Sequence, residues 1–249
     1  MQPVERIVIV KPPVFNAGLK AIRTLWLRGR KLYCPICEKG CRAFLPTGTD
    51  RRLNAVCPGC GAFERHRLLR IAIQKLAHKG LLKTGGRLLH VAPEASIANK
   101  LATAADYAPC ISIDLNSPEA SVSADLTCLP FPDNSFDTVV CNHVLEHIPD
   151  DRTAMAELYR VMKPGSWGSI QVPMSDKETF EDATITDPAE RERVFGQWDH
   201  VRLYGKDYPD RLSGAGFRVR LFEKEALVDP GDLPSLSIDC EQEVVFVWK

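Results

Sequence analysis

A short apolar run that ends in a dense set of polar side chains constrains the fold of this chain more than any other feature. Residues 136–141 are mostly apolar and follow a turn-forming stretch, residues 132–135. This pattern predicts a buried strand that is entered from a tight turn. Polar residues follow the run directly: Asn142, His143, Glu146 and His147. They would lie at the carboxyl end of the strand, the edge at which open α/β sheets bind their ligands.

From residue 87 onwards, strand-like and helix-like patterns alternate along the chain. Apolar runs predict four further strands, over residues 87–93, 109–115, 121–126 and 166–174, and two closing strands, over residues 217–227 and 241–249. Amphipathic patterns predict helices over residues 94–105, 152–162 and 208–213, and a polar insertion spans residues 175–200. This alternation is typical of an α/β sheet with helices on both faces.

The stretch from residue 129 to residue 150, LPFPDNSFDTVVCNHVLEHIPD, resembles the segment around strand four of class I S-adenosylmethionine (SAM)-dependent methyltransferases. It is most similar to their small-molecule subgroup, the type 11-like methyltransferases. The resemblance extends over residues 87–222. It implies a Rossmann-like class I methyltransferase sheet, SAM as the cofactor and methyl transfer as the activity. In that fold the two closing strands run antiparallel to each other.

Contacts to the cofactor are expected at the carboxyl ends of the first strands. In a doubly wound sheet, an acidic side chain at the end of strand two binds the ribose hydroxyls of the cofactor. Asp114 holds that position here and is followed by Leu115. By resemblance, Asp125 and Leu126 lie where the family contacts the adenine ring and its amino group.

The loop after strand one departs from the family pattern. Class I methyltransferases usually carry a glycine-rich turn there, because the backbone must approach the methionine end of SAM closely. Residues 90–96, HVAPEAS, contain no glycine, but they are similar to an HVAPE variant found in zinc-ribbon-bearing members of the family. Glu94 is expected to accept the amino group of the cofactor. The cofactor-binding residues predicted in this loop and on strand four are His90, Ala92, Glu94, Asn142 and His143.

Candidate catalytic residues fall into two segments. Methyl transfer from a sulfonium needs an in-line nucleophile, and it needs a base only if the nucleophile arrives protonated. One segment follows strand four, and the other, residues 195–208, would form a lid after strand five. The candidates are His143, His147, Asp199, His200 and Tyr204. Asp199 would fix the imidazole of His200 as a base; the alternative is a structural turn that caps the next helix.

Two CxxC pairs predict a metal site in the N-terminal part of the chain. Cys34 and Cys37 form the first pair, and Cys57 and Cys60 form the second, with nineteen residues between the pairs. Pairs at this separation can fold into one tetrahedral site, so the segment resembles a zinc ribbon. Four thiolates leave no position open for water, so the expected role of the Zn²⁺ is structural. Spare ligand candidates, which fit the paired pattern less well, are Cys41 and His66.

The distribution of charge leaves the choice of partner open. Residues 1–88 carry 18 Lys and Arg against 4 Asp and Glu, whereas residues 89–249 carry 14 against 28. The basic segment predicts either docking on the acidic part of the same chain or an anionic partner, such as RNA, an anionic membrane surface or a phosphorylated substrate. A basic amphipathic helix is predicted over residues 15–27. A second helix, over residues 63–78, has three arginines, Arg65, Arg67 and Arg70, which would bind phosphate or lie on a solvated face.

These patterns predict four segments and one principal function. The segments are a basic arm at 1–33, a zinc ribbon at 34–61, a connecting helix at 62–86 and a methyltransferase domain at 87–249. No run of eighteen apolar residues and no signal-peptide pattern occurs, and the nine cysteines suit a reducing compartment, so we expect a cytoplasmic protein. The expected function is methyl transfer to a small-molecule or carbohydrate-like acceptor. The alternatives are an RNA methyltransferase that uses the basic segment and a non-catalytic methyltransferase-like scaffold.

Overall fold

A computed structural model describes residues 25–48, 52–94, 96–98, 107–239 and 243–249. The helix predicted over residues 15–27 lies almost entirely outside these residues, and so does most of the helix predicted over residues 94–105.

Thirteen strands and six α-helices make up the described part of the chain. In chain order the strands are β1 (Arg28–Cys34), β2 (Lys39–Cys41), β3 (Leu45–Thr47), β4 (Arg52–Val56), β5 (Gly86–Val91), β6 (Tyr107–Asp114), β7 (Val122–Ser123), β8 (Phe136–Asn142), β9 (Met162–Gln171), β10 (Phe180–Glu181), β11 (Arg202–Leu203), β12 (Arg218–Glu223) and β13 (Glu243–Trp248). The helices are α1 (Glu64–His78), α2 (Asp151–Val161), α3 (Pro188–Phe195), α4 (Tyr208–Gly214), α5 (Lys224–Leu227) and α6 (Leu233–Leu236).

Seven strands form the central sheet in the order β12-β13-β9-β8-β5-β6-β7. The five strands β9, β8, β5, β6 and β7 run parallel to one another. Strand β13 is antiparallel to both β9 and β12. The predicted α/β class I methyltransferase fold is therefore confirmed, including the antiparallel closing pair. The small β1–β2 and β3–β4 hairpins precede the sheet in the chain. The first CxxC pair lies at the turn between β1 and β2, and the second follows β4 directly.

Apolar side chains cover both faces of the sheet. One apolar cluster joins α1 and the N-terminal hairpins to one face, and includes Leu76 of α1 together with Leu88, Val140 and Phe246 of the sheet. A second cluster joins α2 and α4 to the sheet, and includes Leu158 and Leu212. Strands buried on both faces read as continuous apolar runs, which explains the sequence of β8.

Three predicted strands differ from the structure by at least three residues at one end. The strand predicted over residues 121–126 is the two-residue strand β7. β9 begins at Met162, directly after α2, because a bulge in its pairing with β8 between Met162 and Trp167 accommodates Pro164, which has no N–H to donate. The strand predicted over residues 217–227 ends at Glu223, and the chain continues as the short helix α5. Within the described ranges, no helix has the length and apolar character needed to cross a membrane.

Candidate active site at the carboxyl edge of the sheet

The carboxyl ends of β5, β6 and β8 meet at one edge of the sheet. β5 lies between β6 and β8, and the three strands run parallel. The chain order reverses at this point, since β6 and β7 lie on one side of β5 whereas β8 and β9 lie on the other. Ligands of doubly wound sheets bind in the crevice outside such a switch point. The loops after β5, β6 and β8 therefore hold the candidate site.

Ala92 gives the loop after β5 the conformation that a glycine would favour. Its φ is 46°, in the left-handed region, and its N–H donates to the carbonyl of Ile113, 2.8 Å away. This bond carries the loop across the end of β6. The backbone geometry expected of a glycine-rich turn is thus present without a glycine, at the strain that an alanine has in this region.

Glu94, in the same loop, is fixed by the helix that follows the cysteine pairs. Its Oε1 lies 2.5 Å from Nε2 of His66 and accepts a hydrogen bond of 2.9 Å from Nη2 of Arg65. Nδ1 of His66 accepts the backbone N–H of Phe63, so the ring proton lies on Nε2 and is donated to Glu94. Burial raises the pKa of Glu94, but the His66 hydrogen bond and the Arg65 charge outweigh it and lower the pKa to about 2.

The second oxygen of Glu94 is buried and has no hydrogen-bond partner within the described residues. An ionised carboxylate with one free acceptor atom suits the predicted contact with the amino group of SAM. Sequence reasoning missed the roles of Arg65 and His66. The signal for them was an Arg-His pair in the first turn of a helix, but its partner lies 28 residues further on, and no local pattern links the two.

His90 lies on β5 beneath this loop and is 1% exposed. Its Nδ1 has no hydrogen-bond partner among the described residues, and burial lowers the pKa of His90 to about 4, against the opposing charge of Glu94. The imidazole is therefore neutral in the folded protein at pH 7. The same burial makes the His90 side chain almost inaccessible to a ligand.

A neutral buried His90 predicts a specific loss of stability in mild acid. The folded pKa of about 4 lies below the unfolded value of 6.5, so this contribution is fully present above pH 6.5 and is lost as the pH falls towards 4. The free energy of unfolding should fall by up to about 3 kcal/mol over this range through His90 alone. Urea unfolding of the wild type and of His90→Gln at several pH values measures the difference. Parallel curves for the two proteins would contradict this assignment.

Asp114 ends β6 with one carboxylate oxygen committed to a turn. Its Oδ1 accepts the backbone N–H groups of Asn116 and Ser117 at 2.8 and 2.7 Å. Among the described residues no hydrogen bond to Oδ2 is found, so this oxygen is available for a ribose hydroxyl. The next side chain, Leu115, is 56% exposed and offers an apolar surface beside the acid.

The predicted adenine-contacting pair lies on the loop after β7. Oδ1 of Asp125 accepts both the N–H and the hydroxyl of Thr127, at 2.8 Å each, and the Asp125 side chain is exposed. Leu126 is 5% exposed and packs in the apolar cluster on the α2 side of the sheet. Both residues lie in one short loop at the edge of the sheet where Asp114 is found, which keeps the prediction of adenine contact open.

His143 begins the loop after β8 in a strained backbone conformation. Its φ is 54°, and its N–H donates to the carbonyl of Gln171 at 2.8 Å. Nδ1 of His143 lies 3.5 Å from Oε1 of Glu146, and the His143 side chain is 27% exposed. Asn142, the last residue of β8, is buried and accepts a hydrogen bond of 3.2 Å from the hydroxyl of Ser169. A positive φ at a non-glycine residue, as at His143, is a form of backbone strain that occurs often at functional sites.

His147 and His200 lie in contact, although 53 positions separate them in the sequence. Their ring centroids are 4.7 Å apart in an edge-to-face arrangement. The predicted pairing of Asp199 with His200 is wrong, because Oδ2 of Asp199 lies 3.3 Å from Nδ1 of His147 instead. Nδ1 of His200 lies 3.1 Å from the carbonyl oxygen of Phe195, an accepting atom that fixes the ring in place of a carboxylate.

The segment from residue 195 to residue 208 is anchored to the turn after β8. Arg202 donates to the carbonyls of Leu145 and Pro149, at 3.0 and 2.7 Å, and so holds this turn from beneath. The hydroxyl of Tyr204 donates to Oδ2 of Asp151 at 2.7 Å, and Tyr204 is fully buried. Burial, followed by this hydrogen bond, raises the pKa of Tyr204. Its proton is therefore held within the fold, and a catalytic role for Tyr204 stays a prediction.

The four cysteines of the CxxC pairs come together as the sequence predicts. Sγ of Cys34 lies 3.6 Å from Sγ of Cys60, and Sγ of Cys37 lies 3.7 Å from Sγ of Cys57. All four sulfur atoms lie within 4.8 Å of one another. Four thiolates held about 2.3 Å from one zinc ion would be about 3.8 Å apart, so the cluster fits Zn²⁺. The spare candidates Cys41 and His66 are not part of this cluster.

Two of the three arginines of α1, Arg67 and Arg70, are buried, which contradicts a solvated helix face and a phosphate site shared by all three. Arg67 is fully buried and donates to the carbonyl of Ala55 in β4 and to that of Leu236 at the end of α6, each at 2.8 Å. Arg70 is 7% exposed, and Arg65 binds Glu94. Part of the basic charge of the N-terminal segment is therefore used to dock it on its own chain.

Comparison with known proteins relates part of the chain, from β5 to β9, to a sequence family. The sequence family described as "Methyltransferase domain" matches residues 79–170. Cycloartenol-C-24-methyltransferase of Arabidopsis thaliana is 34% identical over 114 residues, which are 43% of this chain and 32% of that protein. Demethylmenaquinone methyltransferase of Renibacterium salmoninarum is 41% identical over 59 residues, which are 24% of each. The chain thus spans about a third or less of the length of these relatives.

A solved structure supports the fold. The 1,6-didemethyltoxoflavin-N1-methyltransferase of Burkholderia thailandensis, with bound 1,6-didemethyltoxoflavin and S-adenosylhomocysteine, aligns with a TM-score of 0.50 at 16% identity. The alignment covers 73% of this chain and 77% of that chain. This likeness supports the fold alone. The match over residues 79–170 and the strand order identify this part of the chain as a methyltransferase domain of the class I SAM-dependent type.

Proposed function

We propose that the protein transfers the methyl group of SAM to a small-molecule or carbohydrate-like acceptor at the carboxyl edge of the sheet. The observation that carries this proposal is the placement of Asp114, Glu94 and His143 on three loops at the switch point of a methyltransferase-type sheet. Each loop offers a group of the kind that one part of the reaction needs.

SAM would bind across β5 and β6. The free oxygen of Asp114 would accept a ribose hydroxyl, and the exposed side chain of Leu115 would pack against the adenosine. The unpartnered oxygen of Glu94 would accept the amino group of the methionine end. The left-handed backbone at Ala92 lets the chain pass close to the cofactor. Cofactor contacts by His90, Asn142, Asp125 and Leu126 remain part of the proposal, although His90 and Asn142 are buried.

The transfer itself needs few groups from the protein. A lone pair on the acceptor attacks the methyl carbon in line with the sulfonium, and the C–S bond breaks as the new bond forms. The sulfur keeps the bonding electron pair, and the product is S-adenosylhomocysteine. An acceptor that carries a proton on the attacking atom would lose it to His143, whose imidazole is partly exposed and lies beside Glu146. His147 and His200 would line the acceptor side, with Asp199 orienting His147.

The four-thiolate cluster would hold one structural Zn²⁺. Its sulfur atoms have the spacing of a tetrahedral site, and four protein ligands leave no position for a substrate. Helix α1 begins at Glu64, four residues after Cys60, so the ion would also set the position of Arg65 and His66. The cysteine segment is therefore linked to the proposed SAM site through Arg65 and His66, which bind Glu94.

This link between the two sites predicts the effect of a single substitution. Glu94→Gln removes the negative charge but keeps an acceptor oxygen for Arg65 and His66. Because a hydrogen bond to a charged group contributes roughly 1.5–3 kcal/mol, SAM affinity should fall about 10- to 100-fold. Titration calorimetry measures the change. Glu181→Gln is the matched control, since Glu181 is also paired with two arginines, Arg202 and Arg211, but lies on β10. Equal affinity of the Glu94 variant and the control would remove Glu94 from the cofactor site.

Transfer of radiolabelled methyl groups tests the choice of acceptor. The enzyme would be incubated with labelled SAM and separate sets of phenols, reduced quinones, sterols and sugars, and in parallel with ribosomal and transfer RNA. We expect label in one of the small-molecule sets. Label in RNA alone would support the RNA alternative, which relies on the exposed Arg28, Arg30 and Lys31 of β1. If the protein bound SAM but transferred label to none of these sets, the proposed small-molecule or carbohydrate-like acceptor would be contradicted.

A further inference from the structure

Glu146, His147 and His200 form a second group of potential metal ligands, which we call the Glu-His-His group. One donor atom from each residue lies within 4.8 Å of the others. Glu146 and His147 lie in the single 3-10 turn after β8, and His200 lies just before β11. The two elements are held together by the N–H of Val201, which donates to the carbonyl of Glu146 at 2.9 Å. The group is therefore built by two anchored segments of the candidate active site.

The carboxylate of Glu146 is the feature that points to a bound cation. Glu146 is 1% exposed, and neither of its side-chain oxygens has a hydrogen-bond partner among the described residues. Nδ1 of His143 lies 3.5 Å from Oε1, at the long end of an ion-pair distance. Burial of a carboxylate without hydrogen bonds is strongly unfavourable, so native proteins pair such groups or bind a metal to them. A cation between Glu146 and the two histidines would satisfy this carboxylate.

Both histidines of the group are held as metal-binding imidazoles usually are. Nδ1 of His147 faces Oδ2 of Asp199 at 3.3 Å, and Nδ1 of His200 faces the carbonyl oxygen of Phe195 at 3.1 Å. Asp199 is itself fixed by a hydrogen bond of 2.8 Å from the amide of Gln197. An imidazole that donates from Nδ1 to a carboxylate or a carbonyl carries its lone pair on Nε2. This is the outer-shell pattern that fixes ring orientation in metal sites.

We propose that the Glu-His-His group binds one divalent first-row transition metal ion in the acceptor half of the active site. Two imidazoles and one carboxylate suit ions such as Mn²⁺, Fe²⁺, Co²⁺ or Zn²⁺ and leave coordination positions open. The site differs in kind from the cysteine cluster, whose four soft thiolates close the coordination sphere around Zn²⁺.

The open positions assign a chemical class to the acceptor, and this part of the inference rests on the proposed function. A metal ion there would bind an oxygen atom of the acceptor and lower the pKa of a bound hydroxyl. The acceptor would then carry an oxygen donor at or next to the methylated atom, as in a vicinal diol, a hydroxy-ketone or a dihydroxyarene. Without the proposed function, the metal site itself still stands on Glu146, His147 and His200.

Calorimetric titration with Co²⁺ tests the inference on this chain after it has been loaded with one equivalent of Zn²⁺, which fills the four-thiolate cluster. We expect one further equivalent of cobalt per chain, which remains bound after gel filtration and is counted by elemental analysis. Glu146→Gln keeps the shape of the side chain and should weaken this binding on the order of 100-fold. Glu181→Gln is the control and should bind cobalt as the wild type does. His147→Gln replaces the first variant if that variant fails to fold.

Measuring SAM binding on the same samples separates this inference from the proposed function. A protein that binds SAM but takes up no second metal ion would overturn the inference and leave the proposed function standing. The same holds if the Glu146 variant retains the cobalt equivalent, because the ion would then lie elsewhere. A protein that takes up cobalt at this site but binds no SAM would support the metal site and contradict the proposed function.

Discussion

Replacement of Asp114 by alanine is expected to weaken SAM binding about 10- to 100-fold. Oδ1 of Asp114 accepts two backbone N–H groups of the following turn, whereas Oδ2 has no hydrogen-bond partner in the part of the chain that the structure describes. A cofactor ribose would lie at this end of β6. Loss of a charge-assisted hydrogen bond of roughly 1.5–3 kcal/mol accounts for this range. Isothermal titration calorimetry with SAM measures the change directly.

Asp114→Asn separates the ribose contact from the turn. An asparagine keeps a neutral oxygen that can accept the N–H groups of Asn116 and Ser117, so the turn should survive. We expect this variant to unfold at the wild-type urea concentration and to bind SAM with an affinity between those of the wild type and Asp114→Ala. If both variants bound SAM as the wild type does, Asp114 would have no part in the cofactor site.

Replacement of Cys57 by serine should have the largest effect on stability. The variant would remove one of four thiolates from the cluster, and structural zinc contributes on the order of 10 kcal/mol to the folding of small zinc modules. We expect bound zinc to fall from one ion per chain to nearly none. The N-terminal hairpins should then lose their protection from proteolysis. SAM affinity should also fall, because α1 would no longer hold Glu94 firmly.

Cys41→Ser is the matched control for this loss. Cys41 is 5% exposed and belongs to the same segment, but its sulfur is outside the four-thiolate cluster. Burial of a hydroxyl there should cost roughly 1–3 kcal/mol while zinc content stays at one ion per chain. Elemental analysis of both variants after dialysis decides the matter. Full zinc occupancy in the Cys57 variant would contradict the four-thiolate site.

The sheet was predictable because its signals are local. The apolar run of β8, the turn before it and the polar residues after it lie within about twenty consecutive positions, and the position of Asp114 follows from the end of one strand. The CxxC spacing likewise needs no tertiary information, since each pair brings two thiolates to one turn. The structure places β8, the end of β6 with Asp114 and the four cysteines as these local patterns predict.

The contacts that tune the site were not predictable, because they join distant parts of the chain. His66 meets Glu94 across 28 positions, and Asp199 meets His147 rather than its neighbour His200. The adjacency of Asp199 and His200 in sequence suggested a pair, but the carbonyl of Phe195 already holds the His200 ring. Side-chain partners of this kind depend on how loops pack against each other, and that information is absent from local spacing.

The count of charged residues alone did not show which basic residues of the N-terminal segment contact the rest of the chain. The basic excess of residues 1–88 left self-docking and an anionic partner equally open. Arg67 is buried and Arg65 is bound to Glu94, so two of these charges serve the chain itself. The exposed Arg28, Arg30 and Lys31 remain free of that role. The segment thus combines an internal docking face with an outer basic strand.

Titration of the zinc-loaded protein with SAM, and in parallel with S-adenosylhomocysteine, tests the central claim most directly. The account predicts one site per chain for each ligand, with a dissociation constant on the order of micromolar. A hundredfold excess of ligand over that constant should raise the free energy of unfolding by about 2.7 kcal/mol. Absence of binding heat together with an unchanged unfolding free energy would contradict the account and leave a methyltransferase-like scaffold that does not use the cofactor.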